Sequence, residues 1–248
     1  MKLLLINGNT TDAITARLAA TARDAAAPGT EIVAVSAPFG AAVVGTRAEE
    51  TIAAHAVLEA AARHHAGCDA VVVAISTDAG AAATRELLPI PVVGITEAAL
   101  LTACALGGGF GLLTFGARAA AWSRELIGRY GLSARLAALE ALETPAAAFA
   151  DPDSFEAPLL AGVERLVAQG ADTVVIAGAA FAGLCKRLQP RAPVPLLDGV
   201  ACAVGQAELL VRLGLPKPRA GSYAAAGGRA VVGVGEALCA LLGSKPAD

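Results

Sequence analysis

Two stretches of this chain bring small polar side chains to the end of an apolar run. Asn7-Gly8-Asn9-Thr10-Thr11 follows Lys2–Ile6, and Ser76-Thr77-Asp78-Ala79-Gly80 follows Val71–Ile75. The first opens a helical pattern. Backbone N–H groups and short polar side chains at such a place make an anion site, most naturally for a carboxylate, with Asn7, Asn9 and Thr10 as substrate-binding candidates. Capping of the helix by Thr10 or Thr11 is the plainer reading, and the two are compatible. No Gly-Lys-Ser/Thr follows, so it is not a nucleotide-binding P-loop. In the second stretch Asp78 is suited to acid–base work, with Thr77 and Ser76 beside it, or it caps the next helix.

Further along, Thr114 ends the apolar run Phe110–Phe115, and Asp198 precedes a helix where an N-cap is the default. Gly107-Gly108-Gly109 precedes a strand instead of following one, the wrong order for a dinucleotide fingerprint, and reads as a turn. His55, His64 and His65 fall on one surface helix and read as solvated. No Ser-His-Asp order at hydrolase spacing is present. Cys68, Cys104, Cys185, Cys202 and Cys239 are scattered, without a C-x-x-C or a paired His. That argues against structural zinc and a disulfide framework, and leaves buried small residues as their reading. No metal site is expected.

The elements that must position these residues are written twice. Gly67-Cys68-Asp69 opens the apolar run ending at Ile75, and Gly170-Ala171-Asp172 opens the one ending at Gly178, 103 residues later. Each reads as a buried parallel strand, then a helix, then a Pro-bounded strand at Pro91–Ile95 or Pro195–Asp198. Other strands are expected at Lys2–Ile6, Glu31–Ser36, Phe110–Phe115 and Ala134–Leu139, alternating with helices. The fold class is α/β: two pseudo-symmetric Rossmann-like lobes with parallel sheets and an active-site cleft between them. The first lobe is expected over 1–96 plus 199–248, the second over 97–198, by internal duplication. Ligands in such sheets bind beyond the carboxyl ends of the strands.

The 248 residues are 56% hydrophobic and 17% charged, with a net charge of −3. A large buried fraction is expected, rich in closely packed Ala. There is no basic stripe and no aromatic–basic interleaving, so no nucleic-acid partner is expected. Charges interrupt every apolar run before it could span a membrane, and the N-terminus lacks a signal-peptide pattern. The expectation is a cytoplasmic protein acting on a small molecule. The composition is compatible with a homo-oligomer, though no residue marks an interface.

The residues resemble the aspartate/glutamate/hydantoin racemase superfamily, and within it the hydantoin racemase branch. Ile6-Asn7-Gly8-Asn9-Thr10-Thr11 is similar to that family's Ile-Asn-Pro-Asn-Thr/Ser start. Asp78-Ala79-Gly80, Arg85-Glu86-Leu87 and Ile90–Ala98 are similar to its Asp-Pro-Gly, Arg-Glu-Leu and Pro-Val-Val-Gly-Ile-Gly-Glu-Ala stretch. Val194–Val200 is similar to its Val-Pro-Val-Ile-Asp-Gly-Val. The resemblance implies a two-lobed α/β fold, no cofactor, and inversion of a carbon next to a carbonyl by two cysteines. A thiol suits that task because its pKa can be brought near 7. The positions it implies for them hold Ile75 and Gly178 here, without a gap. Gly8 stands where the family has Pro, and Phe115 where it has the second Thr of Val-Val-Thr-Thr.

Two functions therefore stand. One is proton transfer next to a carbonyl on a small carboxylate or cyclic amide, of racemase, isomerase or decarboxylase type, by non-cysteine groups. Asp78, Thr77 or Ser76 would carry the proton, with Asn7, Asn9, Thr10, Thr114, Phe115, Ile75, Gly178 and Ala179 around the substrate. Apolar surroundings would raise the carboxylate's pKa. The other is a non-catalytic binder of a small carboxylate, motivated by Ile75 and Gly178.

Overall fold

Two four-stranded parallel sheets have the same strand order, and that order decides where chemistry can sit. The computed structural model describes residues 1–143, 155–224 and 228–243. In the first sheet β2 (Glu31–Ser36), β1 (Lys2–Asn7), β3 (Ala70–Val73) and β4 (Val92–Gly94) lie side by side in that order. In the second the order is β6 (Leu136–Leu142), β5 (Phe110–Phe115), β7 (Thr173–Ile176) and β8 (Leu196–Asp198). Every neighbouring pair is parallel. In each sheet the chain leaves its first strand toward one edge and returns on the other side of it. The point of reversal lies between β1 and β3, and between β5 and β7, and ligands of such sheets bind beyond the carboxyl ends at that point.

The helices are α1 (Asp12–Ala25), α2 (Arg47–His64), α3 (Ala81–Leu87), α4 (Ile95–Leu106), α5 (Ala117–Arg129), α6 (Glu156–Ala168), α7 (Leu184–Leu188), α8 (Gly199–Leu213) and α9 (Glu236–Gly243). The chain divides into two compact units, Met1–Gly94 with Val204–Asp248, and Ile95–Ala203. The division falls inside α8.

Central strands are apolar on both faces because helices cover both. Leu3 to Ile6 and Val71 to Val73 are at most 1% exposed. Leu112, Leu113 and Val174 are fully buried in the second unit. At α2 the Thr46 side chain accepts the Glu49 N–H at 3.2 Å while Glu49 Oε2 accepts the Gly45 N–H at 2.8 Å, a reciprocal N-terminal cap.

The repeated Gly-X-Asp is a clamp at the start of the strands. Gly67 and Gly170 turn the chain with φ of +74° and +94°. Asp69 Oδ2 then accepts the Lys2 N–H at 2.7 Å, and Asp172 Oδ2 accepts those of Gly108 and Gly109 at 2.7 and 3.0 Å. In each unit an aspartate thus ties the third strand to the beginning of the first.

Several strand boundaries differ from expectation by one to three residues, and two of them bear on the site and its supports. β3 stops at Val73, so Ile75 lies in the loop beyond it. β6 begins at Leu136, not Ala134, because Ser133–Arg135 form a 3₁₀ turn. That turn lets the Arg135 side chain donate to the carbonyls of Cys104, Gly107 and Gly108.

Candidate active site

In the first unit, the loops after β1 and β3 come together at the point of reversal. Asn7 is fully buried, and its amide is spent inside the loop. Its Nδ2 donates to Asn9 Oδ1 and Thr15 Oγ1, both at 2.9 Å, and its Oδ1 accepts the Asn9 N–H at 3.2 Å. This corrects the expectation for Asn7: it holds the loop and presents no free donor. Thr11 does not cap α1 with its side chain; its hydroxyl donates to the Ala42 carbonyl at 2.7 Å. The Thr10 N–H donates to the Ala41 carbonyl at 3.1 Å. Two groups are left over. Among the described residues neither the Asn9 Nδ2 nor the Thr10 hydroxyl has a hydrogen-bond partner.

Ile75 is buried against this loop. A Cβ built on Gly8 would stand 2.8 Å from Ile75 Cδ1, 3.0 Å from its Cβ and 3.1 Å from its Cγ2. The Ile75 carbonyl accepts the Asp78 N–H at 2.9 Å, closing a turn. Within that turn the Thr77 hydroxyl is buried without a hydrogen-bond partner, the kind of orphan that ligand-binding sites leave. Asp78 is buried and, among the described residues, is the non-glycine residue with positive φ, +50°. Asp tolerates that region better than most, and strain of this kind gathers at functional sites. Asp78 does not cap α3, whose N-cap is Gly80 at φ +80°. Its carboxyl lies against Gly94 at the end of β4 instead, where a Cβ would come within 2.5 Å of Cγ.

The second unit has an equivalent place, fixed by register. Ile6 pairs Val73 and Val73 pairs Gly94; Leu113 pairs Ile176 and Ile176 pairs Asp198. Two residues past those pairs stand Gly8 and Ile75 in one unit, Phe115 and Gly178 in the other. Thr114 is buried at the end of β5. The Phe115 ring stacks on Phe181 with centroids 4.0 Å apart and planes at 15°, and Phe155 lies about 6 Å from both. Gly178 has φ +118°, and a Cβ there would stand 2.9 Å from Phe115 Cε2. Ala179 begins a 3₁₀ turn ending at Phe181. Asp198 is the N-cap the sequence suggested: its Oδ1 accepts the Val200 N–H at 2.8 Å and its Oδ2 the Gly183 N–H at 2.6 Å. Burial raises its pKa, and those hydrogen bonds oppose the rise.

The nearby thiols are poor proton acceptors. Burial pushes Cys185 well above the usual thiol range and Cys202 up to about 11. His64 is exposed, as expected of that helix face, and the part-exposed His55 places its Nε2 3.4 Å from Glu59 Oε1, with Glu59 only 2% exposed. Glu59 also accepts the Gly235 N–H at 2.6 Å. A partner 176 residues away leaves no trace in the helix pattern. Among the described residues no group of three or more His, Cys, Asp or Glu could hold a metal ion. No described helix is long and apolar enough to cross a membrane.

Comparison with known proteins agrees with this architecture. The profile of the Asp/Glu/Hydantoin racemase family matches residues 3–207. A hydantoin racemase of Paenarthrobacter aurescens is 31% identical over 227 residues, 90% of this chain and 96% of that protein. The structure of an allantoin racemase from Klebsiella pneumoniae is 34% identical and superposes with a TM-score of 0.89, covering 96% of this chain and 98% of that one. Arylmalonate decarboxylase, 18% identical with a TM-score of 0.62 over 88% of this chain and 96% of that one, shares the fold.

Proposed function

Because this chain belongs to the Asp/Glu/Hydantoin racemase family, we propose that it moves a proton at the carbon next to a carbonyl, without a cysteine as carrier. The substrate is a small carboxylate or cyclic amide, and the names of its relatives make a 5-substituted hydantoin the first choice. One observation carries the reading: Ile75 stands where the resemblance implies a thiol, and three residues on lies Asp78, buried and held at positive φ.

In the proposed step the Asp78 carboxylate takes the α-proton. The C–H electron pair moves onto the carbonyl oxygen as an enolate, and the carbon regains a proton from the same acid. The Thr77 hydroxyl, with Ser76, donates to the enolate oxygen, which gives the orphaned hydroxyl its partner. Asn9 and Thr10 anchor the carboxylate or imide, and Ile75 meets the apolar substituent. A single carrier returns the proton to the face it came from, so this chemistry favours exchange or decarboxylation over full inversion. No cofactor, nucleic acid or membrane takes part, and the setting is the cytoplasm; the net charge of −3 is compatible with this.

The test is proton NMR in heavy water with 5-benzylhydantoin, allantoin, amino acids and arylmalonates, with chiral chromatography of the products. Loss of the α-proton signal with retained configuration is expected, and Asp78→Asn should abolish it in a folded protein. Full activity of that variant would sink the assignment of Asp78. Inversion would call for a second carrier, and silence across the panel with ligand-induced shifts would mean binding alone.

A further inference from the structure

The two units place a carboxylate at the same point of their sheets, but from different parts of the chain. In the second unit the strand supplies it: Asp198 ends β8 and reaches back to the Gly183 N–H of the preceding loop. The loop itself carries Phe181. In the first unit the register position of Asp198 is Gly94, which has no side chain. Asp78 on the loop fills the space, at the loop position of Phe181. A Cβ on Gly94 would stand 2.5 Å from Asp78 Cγ, 2.7 Å from Oδ1 and 2.8 Å from Oδ2. All three carboxyl atoms are thus within a distance that real side chains do not tolerate. The carboxyl group fills the Cβ space of Gly94, and its own backbone is held at φ +50°.

We infer that Gly94 is a positioning residue: its missing side chain is the seat that fixes the Asp78 carboxylate. This rests on the proposed role of Asp78. Gly94 has ordinary φ, so an alanine there meets no backbone penalty, and its effect passes through the carboxyl group it displaces. A displacement of about 1 Å at a reacting group costs roughly a hundredfold in rate while binding elsewhere persists.

The experiment is a double-mutant cycle of Gly94→Ala and Asp78→Ala, read both as thermal stability and as α-proton exchange of 5-benzylhydantoin. Gly94→Ala should lower kcat about a hundredfold and leave KM nearly unchanged. It should lower Tm in the parent protein but hardly at all when Asp78→Ala has emptied the seat. If Gly94→Ala alone does not fold, recovery of folding in the double variant carries the same meaning. Unchanged kcat in a folded Gly94→Ala protein overturns the inference, as do additive Tm shifts. Coupled Tm shifts beside a fully active Asp78→Asn protein would instead overturn the catalytic reading and reduce the seat to a structural contact.

Discussion

The Ile75 side chain occupies the space into which a Cβ on Gly8 would project, with Cδ1 2.8 Å from that point. The same exchange recurs with the sizes reversed in the second unit, where the Phe115 ring occupies the Cβ space of Gly178. By register Gly8 corresponds to Phe115, and Ile75 to Gly178. Each position where the resemblance implies a thiol is therefore packed against a neighbour on the adjacent strand end that also departs from the family pattern. The departures from the family pattern are two packed pairs, not four separate losses.

The first pair predicts a coupled cycle. Gly8→Ala in the parent protein should destabilise by about 1–3 kcal/mol through overpacking. With Ile75→Cys, which removes Cδ1 but keeps the Cβ 3.0 Å away, the same change should cost clearly less. Urea denaturation of the four proteins measures the coupling; additivity within about 0.5 kcal/mol would refute it.

The second pair should resist repair. Gly178→Cys puts a side chain at φ +118° and into the Phe115 ring. Phe115→Thr relieves the collision but not the backbone strain. The double variant should be more stable than Gly178→Cys alone, yet still about 1–3 kcal/mol below the Phe115→Thr protein. Calorimetry of the series shows whether both costs are present.

Alkaline pH should weaken the fold through Cys202. Its thiol is held at about 11 against an ordinary 9.0, mainly by burial. A raised folded pKa means stability that is whole below pH 9 and falls as pH rises toward 11. Two units correspond to roughly 3 kcal/mol. Cys202→Ser should flatten that part of the pH–stability curve. Alkylation of the native protein at pH 8 should find Cys185 and Cys202 unreactive.

Asp198→Ala should cost about 2–3 kcal/mol, since it removes the cap of α8 and the acceptor of the Gly183 N–H together. Amide exchange at Gly183 and Val200 should speed up more than exchange in β5.

Most of the fold was legible because repeated apolar runs and Gly-X-Asp openings report on local burial and turns. β6 was displaced by Arg135, whose side chain works on carbonyls about thirty residues away. The loop after β1 was legible as a polar strand-to-helix junction, but not which amide faces inward: Asn7 and Asn9 are the same residue two positions apart. Asp78 read equally as an acid–base group or as a helix cap, because Asp-Ala-Gly suits either. Its true neighbour, Gly94, is silent in any pattern of side chains. The buried Glu59 was not singled out in the sequence, because α2 gives no sign of the Gly235 N–H that it accepts.

The Gly-X-Asp clamps fasten the strands at their beginnings, whereas the exchanged pairs Gly8–Ile75 and Phe115–Gly178 and the carboxylates Asp78 and Asp198 lie at their far ends. Instructions for assembly and instructions for reaction are thus written at opposite poles of each sheet. Side chains at the far pole can therefore be exchanged, as Ile75 and Gly178 stand where the resemblance implies thiols, while the near pole keeps the strands fastened.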